Sequence, residues 1–169
     1  DSDRQNSEQG SKAMKRRTIL AFMLDRPGVL NKVSMLIRKK MYNVDTLTVC
    51  TSRVEGISRM TITLEEDDER KMEQVMRQLE KFTEVISVKE LDIDNSYWRE
   101  VAIVKLEVSA DHLNDFHGRY NFEILDRKGE DTHIIQVAGS TRHIDGFLDE
   151  MGRQYIVEIA RTGVSAMEK

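Results

Sequence analysis

Apolar and polar positions alternate or recur along the chain in a pattern that changes period several times. Thr18 to Leu24 reads as a near-continuous apolar run of strand length, the signature of a strand covered on at least one face in mid-sheet. Asp25-Arg26-Pro27-Gly28 interrupts it, and Val29, Leu30, Val33, Leu36 and Ile37 then recur at helical spacing up to the basic Arg38-Lys39-Lys40. Beyond Tyr42-Asn43, Leu47, Val49 and Thr51 alternate with Thr46, Thr48 and Cys50, and after the Glu55-Gly56 turn Met60, Ile62 and Leu64 alternate with Arg59, Thr61 and Thr63. These two strands are expected to pair as a hairpin. Acidic residues from Glu65 to Glu69 open a second helix striped by Met72, Val75, Met76, Leu79 and Phe82, and Glu84 to Leu91 closes the unit as a strand. The order is strand, helix, strand, strand, helix, strand, the ferredoxin-like split βαββαβ arrangement.

The order then repeats. Val101 to Val108 is strand-like, Leu113, Phe116 and Tyr120 suggest a short helix, and Phe122–Leu125 and His133–Ala138 flank the Lys128-Gly129 turn. Ser140 is placed to cap a helix carrying Ile144, Phe147, Leu148 and Met151, and Tyr155 to Ala160 forms a last strand. The expected fold class is therefore α+β, two tandem ferredoxin-like βαββαβ domains: a polar tail over 1–14, a first domain over 15–92, a linker over 93–97 within the polar interval that begins at Asp92, and a second domain over 98–169.

Composition narrows the function classes. At about 100 to 200 residues per domain, the 169 residues make either one mid-sized domain or two small ones. A net charge of −4 argues against a dedicated nucleic-acid binder, and Ile57 to Leu64 lacks the aromatics by which an RNA-binding sheet of this topology stacks bases. No apolar run approaches the roughly 18 residues of a membrane span, and the polar tail has neither an apolar signal region nor the Arg-rich character of a transit peptide. The single cysteine, Cys50, excludes an intrachain disulfide, fits a reducing compartment, and reads as an inert buried thiol among Thr and Val.

Catalytic motifs are missing: there is no phosphate-binding glycine loop, no G-x-S-x-G and no H-E-x-x-H. His112 and His117 are five apart, a poor fit to one helix face, so no metal is expected. The segment with a physical reason to bind is Asp25 to Leu30. It leads from a strand into a helix N-terminus, where unpaired N–H groups and the positive dipole end favour a carboxylate, Gly28 allows close approach, and Asp25 could meet an ammonium. Together these suit a free amino acid. The same residues read equally well as a cap (Asp25) and a turn (Gly28) with no ligand.

Asp25-Arg26-Pro27-Gly28-Val29-Leu30 followed by a βαββαβ unit resembles the ACT domain, a small module that binds amino acids and regulates their metabolism. Tyr42-Asn43-Val44 with Leu47-Thr48-Val49, Ser58 to Ile62, Arg99-Glu100 leading into Ile103-Val104-Lys105, His117-Gly118-Arg119 to Asp126, and Val157 to Val164 resemble the regulatory small subunit of acetolactate synthase. Similarity to that family implies a chain without an active site. It would activate a thiamine-dependent catalytic large subunit and confer feedback inhibition by valine or another branched-chain amino acid. It implies no cofactor in this chain, since thiamine diphosphate, FAD and Mg²⁺ belong to the partner; a homodimer through the ACT domains; a cytoplasmic location of bacterial type rather than plastid; and no nucleic-acid or membrane partner. By the family motif the effector site comprises Asp25, Arg26, Gly28, Val29 and Leu30 of one chain with Asn43 and Val44 of its partner. In that reading Gly28 and Val29 offer N–H groups to the carboxylate, Asp25 holds the ammonium and Asn43 bonds from the other chain. Asp25 stands where many such subunits have Asn, Met41 where a Gly often precedes the Tyr-Asn pair, and His117-Gly118-Arg119 lacks the usual Phe-Arg-Gly order. The alternative is a stand-alone ACT sensor acting on a different enzyme or a transcription regulator, against which the Ile159 to Gly163 match counts.

Overall fold

A computed structural model describes residues 15–169; the expected tail, 1–14, lies outside them. The first unit runs β1 (Arg16–Leu24), α1 (Val29–Lys39), β2 (Val44–Thr51), β3 (Ile57–Glu65), α2 (Glu69–Glu80) and β4 (Val85–Glu90). Its strands form one antiparallel sheet in the order β2-β3-β1-β4. Strand alternation places Ile19, Ala21, Met23, Met60, Ile62 and Leu64 on one face, where they meet Val33 of α1 and Met72, Val75 and Leu79 of α2. Asp68 starts α2 by accepting the N–H of Arg70 at 2.9 Å.

The second unit repeats the topology with β5 (Ser96–Glu107), α3 (Ala110–Asn114), β6 (Phe122–Lys128), β7 (Thr132–Gly139), α4 (Thr141–Met151) and β8 (Ile156–Arg161), ordered β6-β7-β5-β8. Ser140 caps α4 as its position suggests, accepting the His143 N–H at 3.2 Å. The core gathers Val104, Leu106, Ile135, Val137, Ile144 and Phe147. The two tandem ferredoxin-like units expected from the sequence are thus present.

Four details differ from expectation. First, β5 begins at Ser96, so Ser96 and Tyr97 belong to a strand rather than to the 93–97 linker. Second, a further strand, β9 (Ser165–Glu168), pairs antiparallel with Ser96 to Arg99 at the start of β5. The ribbon so formed extends beyond the second sheet and lies across the outer face of the first, where Leu20 and Phe22 meet Trp98, Val164 and Ala166. The first sheet is covered on both faces, which is why Thr18 to Leu24 is apolar at nearly every position. Third, α3 ends at Asn114, so Phe116 and Tyr120 lie in the turns that follow it. Fourth, Cys50 is exposed, not buried, because β2 is the edge strand of its sheet.

Two ion clusters, each built around one buried charge, brace the units. Arg17 on β1 is 4% exposed and donates from Nε and Nη2 to Glu90 of β4, each at 2.6 Å, and from Nη2 to Glu69 of α2 at 2.5 Å. The Glu90 bond leads in raising the guanidinium's pKa, against a desolvation penalty that alone would lower it. In the second unit Arg161 donates to the buried Glu100 and to Asp145; burial opposes its charge, and the two carboxylates outweigh that opposition.

Candidate functional site

The turn after β1 is pinned by its backbone. The Asp25 N–H donates to the Gly56 carbonyl at 2.8 Å and the Arg26 N–H to Leu24 at 3.0 Å. Gly28 occupies the N-cap position of α1 with φ 86°, a left-handed conformation that a residue with a Cβ adopts at a cost. No side chain caps the helix, so Asp25 is not the cap that one reading of the sequence made it. Among the described residues nothing lies within 4 Å of where a Cβ on Gly28 would sit, so they leave the approach to this backbone open.

The helix start is left with free donors. Among the described residues no protein acceptor takes the N–H of Gly28, Leu30 or Asn31, whereas the Val29 N–H makes a long turn bond of 3.4 Å to Arg26. Val29 turns its side chain into the core at 4% exposure, anchoring the turn, while Asp25, Arg26, Gly28 and Leu30 face outward. The Asp25 carboxylate makes no hydrogen bond among the described residues. The arrangement is a helix terminus with free N–H donors, of the kind whose dipole favours anions, and a carboxylate three residues before the capping glycine.

Asn43 and Val44 sit elsewhere. Met41 takes a left-handed φ of 56°, the one positive φ outside glycine among the described residues, and the chain then turns into β2. The Tyr42 hydroxyl donates to the Lys71 carbonyl of α2 at 2.9 Å, which holds this turn against the unit and leaves Asn43 exposed. Val44 is half-buried against the core. Val44 lies opposite Leu64, and Leu64 lies opposite Arg17; Leu24, where the Asp25 turn begins, is seven residues farther along β1, about 23 Å at the usual rise per strand residue. Within one chain the two halves of the expected site therefore occupy opposite ends of the sheet.

Between them runs the outer edge of β2, which no strand among the described residues pairs. Leu47 and Val49 on β2 and Leu30 on α1 are all more than a third exposed, an apolar stripe beside unpaired backbone groups.

Sequence reasoning missed Arg17, Glu90, Glu100 and Arg161. Glu100 left one signal, a carboxylate at an inward position of an otherwise apolar alternation in β5. Among the described residues no three His, Cys, Asp or Glu side chains come together in a metal-binding group, and no helix is long and apolar enough to cross a membrane.

Two split βαββαβ units in tandem, the first with an open turn at the end of β1 and a bare edge on β2, define a two-domain protein of the ACT type. Residues 19–87 match the family model of the AHAS small subunit-like ACT domain, and residues 99–169 match that of the small subunit of acetolactate synthase. The chain is 34% identical over 155 residues to the probable acetolactate synthase small subunit of Archaeoglobus fulgidus, covering 90% of this chain and 96% of that one. It is 32% identical over 158 residues to the acetolactate synthase isozyme 3 small subunit of Escherichia coli, with 90% and 96% covered. The crystal structure of the acetolactate synthase small subunit from Thermotoga maritima matches with a TM-score of 0.84 at 27% identity over 92% of this chain and 98% of that one. This chain belongs to the acetolactate synthase small-subunit family. Its role is that of a regulatory subunit in branched-chain amino-acid synthesis, and the partner that role calls for is a catalytic large subunit.

Proposed function

We propose that this chain activates the large subunit of acetolactate synthase and makes it sensitive to valine or another branched-chain amino acid, sensed between two copies of the first domain. The observation that carries this reading is the separation of the two half-sites, about 23 Å along β1 at the usual strand rise. Side-by-side, two-fold pairing along the β2 edge turns one copy end for end relative to the other. The Asp25 turn of one copy then faces Asn43 of its partner, and the symmetry makes two equal sites. The same pairing would cover Leu30, Leu47 and Val49 and satisfy the open backbone edge of β2.

In each site the free N–H groups of Gly28, Leu30 and Asn31 take the effector carboxylate, Asp25 takes the ammonium, and Asn43 bonds from across the interface. Val29 holds the turn through its buried side chain. Discrimination among valine, leucine and isoleucine turns on one methylene, worth about 1–3 kcal/mol. Effector clamping the dimer shifts it toward a form that supports the large subunit less well, and a coupling of about 1–3 kcal/mol suffices for a 5- to 150-fold effect. Thiamine diphosphate, FAD and Mg²⁺ act in the large subunit.

Calorimetric titration of valine, leucine and isoleucine into the chain, alone and with the large subunit, tests this reading. Saturable binding lost in Asn43→Ala, together with inhibition of the reconstituted synthase, is the expected result. Equal effector affinity with and without the large subunit would break the linkage, and failure to raise synthase activity would leave a sensor of another enzyme.

A further inference from the structure

We infer that a cleft between the two domains, where the start of β1, the start of β5 and the N-terminus of α4 meet, is a second ligand site, for a small organic anion with an apolar or aromatic body. The cavity holds about 330 Å³ and is walled on its apolar side by Ile93, Tyr97 and Trp98. That volume is at the small end of the range usual for ligand pockets.

Its charge is one-sided. Arg16, Arg99 and Arg142 line the cavity, and among the described residues no carboxylate does. Arg16 spends only its Nε on Asp45, and Arg142 has no partner among the described residues. The N-terminus of α4 adds to the same sign. Ser140 takes the His143 N–H on its hydroxyl and the Ile144 N–H on its carbonyl, while the N–H groups of Thr141 and Arg142 meet no acceptor among the described residues.

Independent of charge, the cavity wall carries buried polar groups without partners. Ser96 is 8% exposed and its Oγ has no hydrogen bond among the described residues. Trp98 Nε1 and Thr141 Oγ1, on residues of the same wall, are also buried and unbonded. Each of the three can donate, and Trp98 Nε1 can only donate. These three atoms are covered by the wall itself, so a ligand meets Arg16, Arg99, Arg142 and the free N–H groups of α4, and that one-signed set calls for an acceptor carrying negative charge. Carboxylate and phosphate heads share that chemistry.

This cleft is remote from the Asp25 turn, because Arg16 begins the strand that Leu24 ends. It takes Arg16 from the first domain and the rest of its wall from the linker and second domain, so an occupant would tie the two together.

Trp98 is the chain's single tryptophan, so tryptophan emission, excited beyond the absorption of the four tyrosines, reports from the wall of this cavity. The full chain is titrated at constant ionic strength with phenylacetate, phenyl phosphate and neutral phenylacetamide. A saturable change with at least one anion is expected, weakened at least tenfold in Arg142→Gln and in Arg99→Gln, unaltered in Asn43→Ala, and not produced by the amide. The anion that saturates at lower concentration identifies the head group. Arg142 is exposed, so its variant keeps the fold, which circular dichroism checks. No saturable response to either anion, an equal response to the amide, or unchanged affinity in Arg142→Gln would overturn the site; loss of the response in Asn43→Ala would assign it to the effector interface instead.

Discussion

The point that a Cβ on Gly163 would occupy lies 2.9 Å from Thr48 Oγ1, across the boundary between the two domains. Gly163 also has φ +77°, so this position is closed to side chains both by the backbone it must adopt and by the first sheet it must approach. The contact belongs to a seam in which the Val164 N–H donates to Thr46 Oγ1 at 3.4 Å and Arg59 donates to the Ala166 carbonyl. Gly163→Ala should lower stability by about 1–3 kcal/mol. Hydrogen exchange should quicken at the β9 amides while both four-stranded sheets persist. A denaturation midpoint equal to that of the parent chain would show that the seam yields without cost.

Glu90→Ala should be costly for a different reason. It leaves the Arg17 guanidinium buried with Glu69 as its remaining carboxylate partner, and breaking such a pair from one side costs about 3 kcal/mol. Arg17→Met, which removes the charge and keeps the volume, should cost less. Urea unfolding of the two variants decides this, and the reverse order would mean that Glu69 alone keeps the buried guanidinium compensated.

Met41→Gly should stabilise. The residue is 90% exposed and held at φ 56°, so it gives up a left-handed strain of about 1–2 kcal/mol, partly offset by the added freedom of glycine when unfolded. A rise in Tm with Asn43-dependent effector binding retained is the expected result. A fall would show that the Met41 side chain has a role in the turn.

Tyr42 links pH to stability. Burial, then the charges of Glu66 and Asp68, push its phenol up from the ordinary value. A raised folded pKa means a contribution fully present below the unfolded value of about 10 and lost as pH rises through the folded value. Tyr42→Phe should cost about 1 kcal/mol near neutrality through the lost bond to the Lys71 carbonyl. The gap between the two proteins should narrow above about pH 10. A gap independent of pH in denaturation measured from pH 7 to 11 would exclude this link.

What could be read from the chain was what repeats locally. Met60, Ile62 and Leu64 alternate because one sheet face is buried, and Met72, Val75 and Leu79 recur because one helix face is. Those periods carried the two βαββαβ units, and the Asp25 to Leu30 turn was legible because strand end, Pro and Gly lie within a few residues of each other. Tertiary structure decided whatever depends on partners far along the chain. β9 is four residues long and exists because the start of β5 and the outer face of the first sheet receive it. Cys50 is exposed because β2 falls at a sheet edge, which no alternation reports. The Asp25 turn and Asn43 sit at opposite ends of one sheet because β1 and β2 flank β3 in parallel, a result of strand order that periodicity, being local, does not contain.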